Sequence, residues 1–147
     1  LYFNDEKIDI LHFGPAHTTG DSIIYFNNSN AIHFGDVFFS DSYPFIDVDN
    51  GGSISGVINF LEEATKIMDS ETIVMPGHGN IANLSDVIET IEMLKVVKSK
   101  IANMINEGKT LQEVFDAKPT KEFDNKYDIS SIGYFIDRVY ASLKKDD

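Results

Sequence analysis

The side chains best suited to chemistry in this sequence sit in short glycine-rich segments. His17 and Asp21 lie in Gly14-Pro15-Ala16-His17-Thr18-Thr19-Gly20-Asp21, Asp36 follows Gly35, and His78 is held in Pro76-Gly77-His78-Gly79. Each segment comes directly after a strand-like pattern, and loops carried by a rigid sheet are where binding groups concentrate. Imidazole and carboxylate together suit a hard or borderline divalent metal. The chain has no cysteine, so any zinc would have to be held by His and carboxylate alone. Each residue also has a plainer reading. A loop histidine can simply bond the backbone, a Gly-Asp after a strand is more often a turn or cap residue, and Pro-Gly-His-Gly is tight enough to be only a turn. The order of the three sites along the chain carries more than any one of them. His12 and His33 fall within strand patterns and read as structural.

Elements that could position these residues follow from periodicity and punctuation. Lys7 to Phe13 reads as a strand with Ile8, Ile10 and Phe13 interleaved with polar positions. Ser22–Phe26 and Ala31–Gly35 read as a hairpin around the turn Asn27–Asn30. Ser53 can cap a helix bearing Ile54, Val57, Ile58, Leu61, Ala64 and Met68 at three- and four-residue spacings. Thr72–Met75 is a buried-strand candidate. A long helix is predicted from Ser85 to about Glu107, with Ile88, Ile91, Leu94, Ile101 and Ile105 on one side and Gly108 as its stop. Thr110 and Glu113 form a capping box for a short helix that ends before Pro119. Lys118 to Asp128 reads as a polar surface loop, and Ser130 to Lys144 as a final helix. The result is one α/β (α+β) domain over 1–147, or part of one, with a C-terminal helical portion over 85–147.

This arrangement has a geometric consequence. In an antiparallel pair, the start of the first strand and the end of the second lie at the same edge. His17, Asp21 and Asp36 should therefore gather at the open end of the hairpin, and His78 can join them if Thr72–Met75 pairs in the same sheet.

Twelve basic against twenty-four acidic residues give a formal charge of −12, which disfavours nucleic-acid binding. No apolar run approaches the roughly 20 residues that span a bilayer, so no membrane role is expected and the compartment stays open. Asp47-x-Asp49-x-Gly51-Gly52 fails as a calcium loop, with Gly51 at position five and Ile58 at position twelve. Ser53 and Ser55 have no nearby His to make either a nucleophile. The aromatic stretch from Phe38 to Phe45 can either line a pocket or serve as ordinary packing, the second being favoured.

His17-Thr18-Thr19-Gly20-Asp21, Gly35-Asp36 and Pro76-Gly77-His78-Gly79 together resemble the later motifs of the metallo-β-lactamase superfamily. Gly51-Gly52-Ser53 opening a helix, and the segment around Gly108-Lys109-Thr110, also resemble one hydrolase branch of that family. The resemblance implies an αββα sandwich with two zinc ions at its edge. His17 would bind one metal, Asp36 would bridge both and His78 would bind the other, with Asp21 orienting the ligand loop. It implies a water activated between metals about 3.5–4 Å apart and attacking a carbonyl. Esters, thioesters and lactams rank above phosphodiesters.

The family's His-x-His-x-Asp-His motif should lie upstream of His17 and does not occur. The chain is therefore expected to be the C-terminal half of the sandwich, with weak or partial zinc and no activity alone. The expected partners are a small-molecule substrate and either the missing N-terminal half or a second copy, covering an exposed sheet face. The alternative is a catalytically inactive scaffold that oligomerises through that face.

Overall fold

The computed structural model describes residues 1–145. Five strands form one mixed sheet in the order β1 (Tyr2–Phe3), β2 (Glu6–Leu11), β3 (Ile23–Phe26), β4 (Ala31–His33) and β5 (Ile73–Met75). The first three pairings are antiparallel, and β4 runs parallel to β5. Four helices accompany the sheet: α1 (Ile54–Thr65), α2 (Leu84–Asn106), α3 (Leu111–Ala117) and α4 (Ile132–Lys145).

Local chemistry accounts for most of these boundaries. Asn4 and Asp5 both take positive φ, the conformation that a tight two-residue hairpin needs, and so join β1 to β2. β1 has no signal in the sequence pattern, and β2 ends at Leu11, short of the predicted Phe13. Ser53 caps α1 by accepting from the Gly56 amide, as its spacing predicts, although α1 stops at Thr65, before Met68. Asn83 and Asp86 form a capping box for α2, and Thr110 and Glu113 form one for α3. Each such cap contributes about 1 kcal/mol.

Register determines which side chains meet the helices. Ile23, Ile32 and Val74 share one face of the sheet, fully buried in a cluster with Phe60 and Leu61 of α1 and Leu94 of α2. The opposite face carries Ile8, Ile10, Ile24 and Ile73, of which Ile10, Ile24 and Ile73 are exposed. The predicted alternation of β2 is therefore present, but Ile8 and Ile10 point away from the helices. On α2, the buried stripe includes Val87, Ile91, Leu94, Val97, Ile101 and Ile105, and Ile88 falls outside it. The stripe runs through Val87 because that residue, not Ile88, keeps the helical spacing to Ile91 and Leu94.

The expected surface loop over Lys118–Asp128 needs correcting. Thr120 and Tyr127 are buried, and the Tyr127 ring packs against Tyr43 at 5.2 Å. Tyr43 stacks on Phe135 of α4 at 5.0 Å and donates its hydroxyl to Asp124 at 2.8 Å. Burial first, and the Asp124 carboxylate second, push the Tyr43 phenol well above its usual range. A few apolar anchors set among many charges hold this segment onto the core. Among the described residues, no helix is long and apolar enough to cross a membrane.

Candidate functional site

The parallel pairing of β4 and β5 extends past the strands and carries two loops side by side. Phe34 donates its amide to Met75 at 2.9 Å, Gly77 donates to Phe38 at 3.1 Å, and Ser40 donates to the His78 carbonyl at 3.2 Å. Between these bonds Asp36 sits in a single 3-10 turn, Gly35–Val37, anchored by buried Phe34 and Val37. Gly35 takes a φ of 54°, which strains other residues and lets the chain turn there. Asp41 ties down the His78 loop by accepting from both the backbone and side-chain amides of Asn80.

His17 arrives from the other side, on the loop before β3. Asp47 donates its amide to the His17 carbonyl at 3.0 Å, and Ser53 donates to Ala16 at 3.0 Å. A Cβ on Gly52 would overlap the His17 carbonyl, so the Gly51-Gly52 pair lets this loop lie close against the start of α1. The Asn50 side chain, with a smaller contribution from His17, holds the Asp47 carboxyl below its ordinary range.

His17, Asp36 and His78 converge. The Asp36 Oδ1 is 3.3 Å from His78 Nε2, and its Oδ2 is 4.0 Å from His17 Nε2. Each carboxylate oxygen thus faces a different imidazole. A Cβ on Gly77 would overlap Asp36 Oδ1 and the Gly35 carbonyl, so a glycine at that position is what leaves the carboxylate its place. The His17 side chain is largely covered at 15% exposure, whereas His78 is open at 64%.

Asp21 does not touch an imidazole. It accepts from the Thr18 amide at 2.8 Å and the Thr18 hydroxyl at 3.0 Å, clamping the loop one residue beyond His17. The His17 ring is held instead by the backbone carbonyl of Phe45, 2.8 Å from Nδ1. A carbonyl only accepts, so Nδ1 carries a proton and Nε2 is the nitrogen turned towards Asp36. No sequence signal pointed to Phe45, because every residue type has this carbonyl. His12 bonds the Asp21 carbonyl through Nδ1 at 2.6 Å, and His33 Nδ1 accepts from the Gly35 amide at 3.1 Å. Neither is among the ion-pair partners of Asp36.

Two imidazoles and a carboxylate are donors that zinc accepts. Divided over two oxygen–imidazole pairs, they supply too few ligands to close a tetrahedron at either. Consistent with that count, no group of three or more His, Cys, Asp or Glu forms a ready cage among the described residues. The donor types therefore fit part of a metal centre.

The aromatic stretch divides between packing and lining. Phe38 is buried in the core, Tyr43 is buried at the floor of a groove beside the imidazoles, and Phe39 and Phe45 line the same groove.

No family model and no curated protein matches the sequence. Solved structures do match. A metallo-β-lactamase from Pontibacter korlensis superposes with a TM-score of 0.56 at 12% identity, over 65% of this chain and 44% of that one. DIM-1 metallo-β-lactamase gives 0.52 at 19% identity, over 61% of this chain and 45% of that one. TMB-1 gives 0.53 at 17% identity, over 65% and 44%. The chain spans under half the length of each of these structures. Together with the mixed sheet and its accompanying helices, these matches show that the chain has part of the metallo-β-lactamase fold.

Proposed function

We propose that this chain supplies the C-terminal part of a zinc-dependent hydrolase acting on an ester, thioester or lactam carbonyl. One observation carries the reading: the two oxygens of Asp36 face two different histidine Nε2 atoms, at 3.3 and 4.0 Å. In this reading His17 and one Asp36 oxygen hold one zinc, and His78 and the other oxygen hold a second. Asp36 is the shared ligand. When bound, zinc supplies Lewis acidity and brings the pKa of water at the site to about 7.

The chain's own residues prepare the site. The Phe45 carbonyl holds a proton on His17 Nδ1 and fixes the ring, which leaves Nε2 as the nitrogen that would ligate. Asp21 fixes the backbone at Thr18 and thereby the loop that carries His17. Gly77 leaves the Asp36 carboxylate the space to serve both sides. The remaining ligands come from residues beyond these three, and the exposed sheet face bearing Ile10 and Ile73 is where the rest of the sandwich docks. A catalytically inactive scaffold would use the same face for oligomerisation, which its apolar side chains favour.

Zinc content by elemental analysis separates these readings. The chain should take up zinc weakly or below stoichiometry, and a His17→Ala, His78→Ala double variant should lose it. Joined to a segment bearing His-x-His-x-Asp-His, the chain should gain tight zinc and carbonyl hydrolysis. Equal zinc in parent and double variant, or none after the segment is added, would sink the hydrolase reading in favour of the scaffold.

A further inference from the structure

Each imidazole of the site is backed by a phenylalanine. Phe39 meets His78 edge-on at 4.6 Å between ring centroids, and Phe45 is tilted against His17 at 5.8 Å. The same two rings line a groove of about 370 Å³, together with Ser130 and Ser131 just before α4 and Tyr134 in its first turn. The groove therefore adjoins both halves of the site. Tyr134 is 70% exposed and Phe45 40%, so two large rings face the opening with much of their surface in water.

The charge of the groove decides what fits. Among the described residues, Asp128 is its one ionisable lining group besides the tyrosines, and bonds from the Ser130 amide and hydroxyl hold that carboxyl below its ordinary range. It is thus ionised at neutral pH. Among the described residues no Lys or Arg lines this space. Arg138, which lines the adjoining hollow, is paired with Asp137 and Asp49. A carboxylate or phosphate entering the groove would lose water, gain no counter-charge and meet Asp128. An uncharged ring would instead gain aromatic contact with Phe45 and Tyr134.

We propose that this groove is the specificity site of the hydrolase, that it takes an uncharged aromatic or short apolar substituent of the substrate, and that Tyr134 determines that choice. The substrate role rests on the hydrolase reading of the adjoining residues. The binding preference does not, and it can be tested without metal.

The experiment is an NMR titration of the full chain in chelator with phenylacetamide and with phenylacetate, which present the same ring without and with charge. Phenylacetamide should shift the resonances of Phe39, Phe45 and Tyr134 saturably, with at least about fivefold tighter binding than phenylacetate. Tyr134→Ala should weaken it several-fold, as the loss of one aromatic contact of about 0.5–1.5 kcal/mol implies. Tyr134→Phe should restore it. Equal or tighter binding of phenylacetate, an unchanged affinity in Tyr134→Ala, or no saturable shift would overturn the proposal. A failed zinc uptake alongside a positive titration would instead remove only the hydrolase reading.

Discussion

Val74 and Ile73 are neighbours on β5 and both are β-branched, yet Val74 is fully buried and Ile73 is 48% exposed. The same contrast runs across the sheet: Ile23 and Ile32 are fully covered, while Ile10 and Ile24 face outward with substantial exposure. The two faces have similar composition. What differs is the layer opposite, since α1 and α2 cover one face and no element of the described chain covers the other. Burial in a strand is thus set by its partner layer rather than by residue type. In the proposed reading, this open apolar face is what the rest of the sandwich would cover.

Substitutions can break this comparison. The largest effect belongs on the covered face, where Ile32→Ala should cost about 2–5 kcal/mol in urea unfolding, because it opens a cavity in a packed core. A cost below 1 kcal/mol would mean that the helices do not seal this face. Next comes the helix that does the sealing: Ser53→Ala removes the cap of α1 and should cost about 1 kcal/mol by the same measurement. On the open face, a double change Ile10→Thr, Ile73→Thr should alter stability by about 0.5 kcal/mol or less, keeping β-branched residues in the strands. It should also reduce self-association in sedimentation. A core-sized loss from this pair would show that the open face is covered after all.

The smallest effect sharpens the comparison at the edge of the sheet. Asp9 lies on the covered side of β2, in register with Tyr25, where the sheet turns polar. The Lys7 ammonium first, and then the Asn27 side chain, hold its carboxyl below the ordinary value of 3.8. A carboxyl with a lower pKa folded than unfolded stabilises the fold above the unfolded value, and that share is lost as pH falls through the folded one. Stability should therefore decline from near pH 3.8 downwards. Asp9→Asn should show a shallower decline in urea midpoints over that range, and identical slopes would count against the assignment.

The features legible in the sequence are those with short-range causes. Ser53, Thr110 and Glu113 announce helix starts because a side chain must satisfy an amide two or three residues away. The hairpin around Asn27–Asn30 and the pairing that brings His78 beside Phe39 follow from local turns and strand order. What alternation cannot disclose is which side the helices occupy, so Ile10 looks like a core residue when read alone. The segment through Tyr127 looks like solvent loop for a related reason: its anchors are sparse and their partners, Tyr43 and Thr90, lie far away in the chain. The carbonyl that orients His17 was illegible in principle, since a main-chain acceptor leaves no trace in residue identity.

That carbonyl has one more consequence. Phe45 performs two tasks with different atoms: its backbone oxygen holds His17 Nδ1, and its ring packs against that imidazole and lines the groove. Replacing the side chain changes the second task while leaving the first in place, provided that the loop keeps its path. Position 45 can therefore drift, or be randomised in the laboratory, without disturbing the proton on the imidazole. A library at this one residue would vary what the groove admits and what backs the His17 ring while keeping the bond that holds Nδ1, a separation that a side-chain partner for Nδ1 would not have allowed.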